Sequence, residues 1–353
     1  MREYLRIEFD RADRTYRVGE TVAGKVLVGS PRGDQCKVVR LKRFWRTHGK
    51  GNVDKGEPTV TRLHTGPLST DRLHQFEFEF PAPARPFTYH GRFLNVDQYV
   101  EVHVDLPWTR DPRRLEEYVL LPGRPSAPAP SLLEHRENPV EDLVPGCSAA
   151  IGSIALVVGL IAFASVGAMG LLFLLAAGFF FLPYFKTLAK KRLGRASAFL
   201  TSLVVDPGGE AEVEVRVFPG KTTRMNLAVL ELQAREVCVA GTGSNRRTHS
   251  HEIFKGAASL SGPGTLEGGK SRLFKGSVRI PKDAPVSFKG GANKILWEAK
   301  VKLDVPNWPD WVKKIPLVVW PGEDLLPGAE DLETLPPSPK EPIVLEPEPE
   351  PQP

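Results

Sequence analysis

The sequence predicts a mainly β protein: two tandem β-sandwiches of the immunoglobulin-like kind, plus a transmembrane α-helical hairpin between them. Three observations lead to this prediction: short alternating strands, a turn motif that occurs twice, and one long uncharged run. Helical periodicity is almost absent outside that run. The length of 353 residues fits two or three domains, and 41% hydrophobic with 25% charged residues is an ordinary globular balance.

Each half of the chain contains an alternating strand that starts from a Gly-Glu turn. "YRVGETVAGKVLV" (Tyr16 to Val28) parallels "VDPGGEAEVEVRVF" (Val205 to Phe218), and Gly19-Glu20 matches Gly209-Glu210. Period-two alternation indicates strands with one buried and one solvent-facing side. Further short strands are expected at 38–45, 75–80 and 117–121, and again at 227–237, 273–280 and 315–320. Several short strands between turns are typical of a β-sandwich.

A proline-rich turn occurs in both halves at a constant offset. "RPFTYHG" (residues 85–91) is followed 199 residues later by "APVSFKG" (residues 284–290), and both lead into a segment that ends Asp-aliphatic-Pro, at 105–107 and 304–306. We expect this turn to be a corner that feeds a long strand in each sandwich. The prolines set the bend and the glycine permits a tight backbone.

These repeated strings resemble the arrestin-like superfamily, in particular the α-arrestins. The stretch "GETVAGKVLV" is similar to the family's second strand. The matching positions of the turn are Pro81, Pro86, Thr88, Tyr89 and Gly91, with Pro107-Trp108 after the strand. The resemblance covers both halves and implies two sandwiches in tandem. The sequence departs from the family in two ways: an apolar run lies in the hinge, and the ligase-recruiting PPxY motif is absent.

The uncharged run extends from Leu143 to Phe185, and its core from Ile151 to Phe185 is apolar. One bilayer-spanning helix needs about 20 apolar residues, so 43 uncharged residues favour a hairpin of two short helices. Charge alone would also allow one span with the N-terminal sandwich on the outside. The representative span residues are Ile151, Leu160, Phe163, Leu171, Leu175, Phe180 and Phe185. The flank that follows is basic, and its residues are Lys186, Lys190, Lys191, Arg192 and Arg195.

Orientation follows from the flank and the repeat. The positive-inside rule places the basic flank in the cytoplasm, and sandwiches that pair must lie on one side of the membrane. The N-terminus has no secretory signal. We therefore expect an integral membrane protein with both sandwiches cytoplasmic. The predicted domains are 1–123 (first sandwich), 124–146 (Pro-rich linker), 147–186 (hairpin), 187–198 (basic linker), 199–322 (second sandwich) and 323–353 (disordered tail).

The charge is divided unevenly along the chain. Residues 323–353 hold nine acids and one lysine, so the net charge of +5 leaves +13 on residues 1–322. The segment "KVVRLKRFWRTHGK" (Lys37 to Lys50) has no acid, and as a strand it places Arg40, Lys42 and Arg46 on one face. Such a face suits anionic headgroups or an acidic partner, and an ordinary solvated face explains it equally well. Nucleic acid is less favoured because no binding motif accompanies the charge.

The side chains that could carry chemistry are few. His249 and His251, with Cys238 upstream and Glu252 beside them, could hold a metal, but the spacing fits no established zinc pattern, and a polar loop is the simpler interpretation. Cys36, Cys147 and Cys238 are too few and too far apart for a disulfide framework. No nucleotide-binding loop or nucleophile motif is present.

The sequence thus predicts a membrane-anchored, non-catalytic scaffold or adaptor without a cofactor. Its expected partners are the lipid bilayer, an anionic membrane surface and a protein of unknown identity. Two alternatives stay open: a structural subunit of a membrane complex, and a metal-dependent enzyme that uses His249 and His251.

Overall fold

The computed structural model describes residues 4–107, 111–123, 193–321 and 343–344. These residues form 21 strands and two three-residue 3₁₀ turns at Gly33–Gln35 and Gly243–Asn245. The strands of the first half are β1 (Tyr4–Phe9), β2 (Thr15–Arg17), β3 (Thr21–Gly29), β4 (Val38–Gly49), β5 (Thr59–Thr65), β6 (His74–Pro81), β7 (Tyr89–His90), β8 (Leu94–Asp105) and β9 (Arg113–Leu121). Those of the second half are β10 (Arg195–Leu200), β11 (Val204–Val205), β12 (Glu210–Phe218), β13 (Thr223–Met225), β14 (Leu227–Ala240), β15 (Arg247–Ser261), β16 (Gly264–Leu266), β17 (Arg272–Arg279), β18 (Phe288–Lys289), β19 (Asn293–Asp304), β20 (Trp311–Val319) and β21 (Ile343–Val344).

The first half is a sandwich of a small and a large sheet. The small sheet has the order β1-β3-β6, and the large sheet has the order β2-β9-β8-β4-β5, with β7 paired to β8. All neighbours are antiparallel except β2 and β9. The buried faces alternate along the strands as expected, since Val22, Val26 and Val28 of β3 are all inward.

The second half repeats this topology. Its small sheet is β10-β12-β17, and its large sheet runs β11-β20-β19-β14-β15-β21, with β18 paired to β19 and a separate β13-β16 ribbon. Strands β11 and β20 are parallel, as β2 and β9 are. The repeated sequence therefore folds into a repeated structure, and the mainly β, sandwich part of the predicted fold class is confirmed.

The membrane part of the predicted fold class is wrong. Crossing a bilayer as a helix takes about 20 residues in one apolar helix, and no helix in the described part of the chain has that length and character. The corrected fold class is mainly β, with its backbone hydrogen bonds satisfied in strand ladders. Three predictions depended on the hairpin and are wrong with it: an integral membrane protein, the lipid bilayer as a partner, and a location deduced from the hairpin.

The residues chosen for the hairpin lie almost entirely outside the described residues. This holds for the seven span residues from Ile151 to Phe185 and for Lys186, Lys190, Lys191 and Arg192 of the basic flank. Arg195 is described, and it is the first residue of β10, where its Cα pairs with that of Phe218.

Candidate functional site

The repeated turn makes the same internal contacts in both sandwiches. The Thr88 hydroxyl accepts the backbone N–H of Leu120 at 2.9 Å, and the Thr88 N–H donates to the Leu120 carbonyl at 2.9 Å. At the positions 199 residues later, Ser287 exchanges the same two hydrogen bonds with Val319, both at 2.9 Å. The turn thus fastens to the last strand of its own sandwich and then enters β7–β8 or β18–β19.

The aromatic residue of each turn contacts the other sandwich. Tyr89 packs against the hydrophobic core of the second sandwich. Phe288 meets Trp45 of the first sandwich edge-on, with ring centroids 5.8 Å apart. Phe87 and Trp320 add a third aromatic contact at 5.2 Å. The motif therefore builds the junction between the sandwiches as well as a corner within each one.

The first turn and the residues after it donate hydrogen bonds to a buried carboxylate of the second sandwich. Glu236 is fully buried on β14, and it accepts hydrogen bonds from the Tyr89 hydroxyl (2.7 Å) and from the backbone N–H groups of Arg92 (3.0 Å) and Phe93 (2.7 Å). Burial, followed by the charge of Glu236, raises the pKa of Tyr89 far above its usual value. The carboxylate is stabilised by donors of the other sandwich, so its hydrogen bonds depend on the junction.

The residues after the second turn donate hydrogen bonds to a carboxylate of the first sandwich. Asp54, in the loop after β4, accepts the backbone N–H groups of Ala292 and Asn293, each at 2.9 Å, and the Asn293 side-chain amide at 2.8 Å. That amide also donates to the Thr47 hydroxyl at 3.1 Å. Ala292 lies 199 residues after Phe93. Equivalent backbone N–H groups in the two repeats thus meet a carboxylate of the opposite sandwich. We call these contacts the reciprocal junction.

Close approach explains the glycine that ends each turn. A Cβ on Gly91 would overlap the Glu236 carboxylate, and a Cβ on Gly290 would overlap the Asp54 carboxylate. Neither glycine has a positive φ. The expectation that this glycine serves a tight backbone is therefore corrected, since the space is taken by the carboxylate of the other sandwich.

Cys238 lies beside the same junction. Its thiol is fully buried and donates to the Phe93 carbonyl at 3.4 Å. Burial, followed by the charges of Glu236 and Asp54, raises the pKa of the Cys238 thiol to about 11. At neutral pH the sulfur is therefore a thiol with little nucleophilic character.

The predicted basic face of β4 is paired with acids of its neighbour β8. Arg40 lies 3.3 Å from Asp105 and Lys42 lies 3.8 Å from Glu101. The guanidinium of Arg46 lies 4.9 Å over the Tyr99 ring. That this face binds an anionic partner stays a prediction, although its charge is largely matched within the sheet.

The two histidines occupy a strand and not the predicted loop. His249 and His251 belong to β15, where their Cα atoms pair with those of Cys238 and Glu236. Their rings lie 6.4 Å and 5.4 Å from the Phe93 ring. Within the described ranges no three His, Cys, Asp or Glu side chains are grouped so that they could hold a metal. The structure therefore gives the metal hypothesis no support.

An arginine-lined groove runs along the free edge of the first small sheet. It has a volume of about 650 Å³ and is lined along its length by β1. Among the described strands β1 pairs only with β3, so its other edge offers unpaired backbone groups. The charged side chains that line the groove are Arg6, Glu8, Arg11, Arg14, Arg114 and Glu116.

The ion pairs in this groove leave a positive excess. Glu116 accepts from both Arg14 and Arg114, at 2.8 Å and 2.7 Å, and Arg6 lies 3.3 Å from Glu8. Just outside the lining, Glu20 lies 2.7 Å from Arg11 and Lys25 lies 3.4 Å from Glu8. Together with these two partners, five cationic and three anionic side chains give the groove a net charge of +2. The side chains of Arg6 and Arg114 are 60% and 53% exposed, so their guanidinium groups are within reach of a ligand.

The inference from sequence alone missed Glu236, Asp54 and the β1 groove. Glu236 had a detectable signal: in "LAVLELQAREVCVA" it takes the inward register of Leu232, Ala234 and Cys238. An acid at such a position predicts a buried carboxylate with dedicated donors. Asp54 lies in a loop without a pattern, so no comparable signal marks it. The arginines of the groove come from β1, the β1–β2 turn and β9 and converge only in the fold.

Comparison with known proteins adds little to the structure. No protein-family model matches the chain, and no curated protein matches it. Among solved structures, the crystal structure of Spo0M, a sporulation control protein from Bacillus subtilis, is 19% identical, with a TM-score of 0.29 over 35% of this chain and 48% of that chain. The chain thus spans about half the length of that structure, and a match of this score carries no argument. The all-β sandwich architecture itself agrees with the arrestin-like resemblance.

Proposed function

We propose that the protein is a non-catalytic scaffold that binds an acidic, extended segment of a protein partner in the groove along β1. The observation that carries this proposal is the coincidence of an unpaired strand edge with an excess of arginine in one groove. An added strand gains backbone hydrogen bonds from such an edge, and alternate side chains supply the specificity.

Charge supports an acidic partner over a neutral one. The guanidinium groups of Arg6 and Arg114 lie at the groove with most of their surface in solvent, and a planar guanidinium matches a carboxylate in a bidentate geometry. The six residues of β1 offer an edge about 20 Å long. A segment of six or seven residues with carboxylates on one side would fit it.

Several observations favour binding over catalysis. The best-organised polar groups, Glu236 and Asp54, are used to hold the sandwiches together. The buried thiol of Cys238 has a raised pKa, which disfavours a nucleophilic role. The joined sandwiches therefore suit the presentation of a peptide-binding edge.

The test is selection of a random twelve-residue peptide library displayed on phage against the full chain. We expect the enriched peptides to be acidic and of high β propensity. In fluorescence anisotropy, the double variant Arg6→Glu with Arg114→Glu should weaken their binding at least tenfold. About 1.4 kcal/mol corresponds to tenfold, and reversal of two charges at the contact exceeds that amount.

Arg216→Glu is the matched control, because Arg216 is an exposed arginine on β12 of the second sandwich, 3.4 Å from Glu214. The affinity of the Arg216→Glu chain for the selected peptides should equal that of the unmodified chain. Enrichment of basic or neutral peptides, or equal binding by the double variant, would contradict the proposal.

A further inference from the structure

We propose that the free edge of β15 is a second strand-addition site, specific for a short aliphatic segment bounded by prolines, and that the chain's own tail competes for it. Strand β21 pairs in parallel with β15, with Phe254 opposite Ile343 and Lys255 opposite Val344. On its other side β15 pairs with β14. This edge lies on the second sandwich, so the inference goes beyond the groove along β1.

The tail contains one segment that suits strand addition. Residues 323–353 are rich in Pro and Glu, and Ile343 and Val344 are their only β-branched aliphatic residues. Pro342 and Pro347 bound the segment Ile343–Glu346. Because proline lacks the backbone N–H, these four residues form an uninterrupted run of donors between two positions that cannot extend a ladder.

The receiving edge has matching features. The pairing of β14 with β15 shifts register between Ala234 and Arg235, which leaves Ile253 as an extra residue in β15. Such a bulge interrupts an edge and limits how far a further strand can pair. The tail pairs directly after this point, with Phe254 and Lys255 of β15.

The tether makes the tail an effective competitor. Residues 322–342 connect the second sandwich to β21, and 21 residues reach up to about 70 Å. The path from β20 across β19 and β14 to β15 is only three strand spacings, or about 14 Å. A linker of this length gives an effective concentration in the millimolar range. A partner segment with the same chemistry must therefore displace the tail.

The first experiment measures amide hydrogen exchange in the full chain and in its Val344→Pro variant. Proline at 344 removes a backbone donor from the segment, so β21 should leave the edge. We expect faster exchange confined to peptides that cover residues 253–257. Ala329→Pro is the matched control, because it adds a proline to the same tail outside the segment, and its exchange should equal that of the unmodified chain.

The second experiment measures binding of a synthetic labelled peptide with residues 339–349, "PKEPIVLEPEP". With an intrinsic Kd of about 0.1 mM and an effective concentration of about 1 mM, removal of the tail should strengthen binding about tenfold. The Val344→Pro chain should thus bind this peptide about ten times more tightly than the unmodified chain does. A peptide with proline in place of Val344 should bind neither the unmodified chain nor the Val344→Pro chain.

Three results would overturn the inference. The first is unchanged exchange at 253–257 in the Val344→Pro chain. The second is equal peptide binding by both chains. The third is a dimer of the unmodified chain that Val344→Pro dissociates in light scattering, since the tail would then add to a second copy and not to its own sheet.

Discussion

At the residue scale, the junction depends on one acid in an apolar register. Glu236 is fully buried and receives its three hydrogen bonds from the first sandwich. The alternation in the sequence correctly predicts the strand and its inward face, because period-two patterning is a local property. It does not predict the donors, since the backbone N–H groups of Arg92 and Phe93 reach Glu236 only through the packing of two sandwiches.

A pH experiment tests the environment of Cys238. The folded thiol has a pKa of about 11 against an ordinary value of 9.0. The unfolded chain therefore releases this proton first, so the contribution to stability is complete below pH 9 and is lost as the pH rises to 11. We expect Cys238→Ala to remove this part of the alkaline decline in the free energy of unfolding.

The measurement is urea unfolding at pH 7, 9 and 11 for both chains. The value at pH 7 serves as the internal reference, because it includes the effect of the lost sulfur on packing. The difference between the chains should shrink from pH 9 to pH 11. Parallel pH profiles would show that the Cys238 thiol is not protected from ionisation.

At the element scale, the repeated turn serves two purposes. Its hydroxyl residue fastens it to β9 or β20 of its own sandwich, and its aromatic residue enters the other one. The repeat itself is visible in the sequence, and it predicts the β-sandwich architecture correctly. The second purpose is not visible, because a contact between domains leaves no local period.

The two hydroxyls should contribute similarly to stability. Thr88→Val and Ser287→Ala each leave one backbone N–H without its acceptor. These N–H groups belong to Leu120 and Val319, which are both fully buried. An unsatisfied buried donor costs about 1–3 kcal/mol. We expect both variants to lose stability in that range in urea unfolding.

Thr61→Val and Ser259→Ala are the matched controls, because both side chains are exposed, on β5 and β15. Their free energies of unfolding should stay within about 0.5 kcal/mol of the unmodified chain. A large loss at Thr88 with none at Ser287 would show that the two turns are not energetically equivalent.

The uncharged run from 143 to 185 shows where sequence reasoning failed. Apolar length alone predicts a membrane helix, and that prediction led to the expected hairpin, partner and location. No helix of this kind occurs in the described part of the chain, and the run itself lies outside it. The repeat was the better guide, since it rests on matched positions in two strands and not on composition.

At the scale of the whole molecule, the two cores are continuous through the junction. Leu94 and Val96 of the first sandwich belong to the core of the second, and Val318 and Trp320 of the second belong to the core of the first. The carboxylates of Glu236 and Asp54 fix the register of this contact. We therefore expect the sandwiches to unfold together.

Differential scanning calorimetry tests this cooperativity. The unmodified chain should give one transition, with equal calorimetric and van't Hoff enthalpies. In the double variant Asp54→Asn with Glu236→Gln, one oxygen of each carboxylate becomes a donor that opposes the backbone N–H groups. The transition should then broaden or split into two.

Glu212→Gln is the control, because Glu212 is an exposed acid on β12. Its transition should remain single. Two transitions in the unmodified chain, or one sharp transition in the double variant, would show that the carboxylates do not couple the sandwiches.

The reciprocal junction also bears on the symmetry of the chain. In an isologous homodimer, a surface element of each subunit contacts its partner by a two-fold rotation. Here the equivalent N–H groups of Phe93 and Ala292 each meet a carboxylate of the opposite sandwich. The two acceptors do not occupy equivalent positions. The strand registers show that Glu236 on β14 corresponds to Thr47 on β4, and not to Asp54. The tandem chain thus joins two equivalent sandwiches through a contact of the kind that an isologous pair of subunits makes.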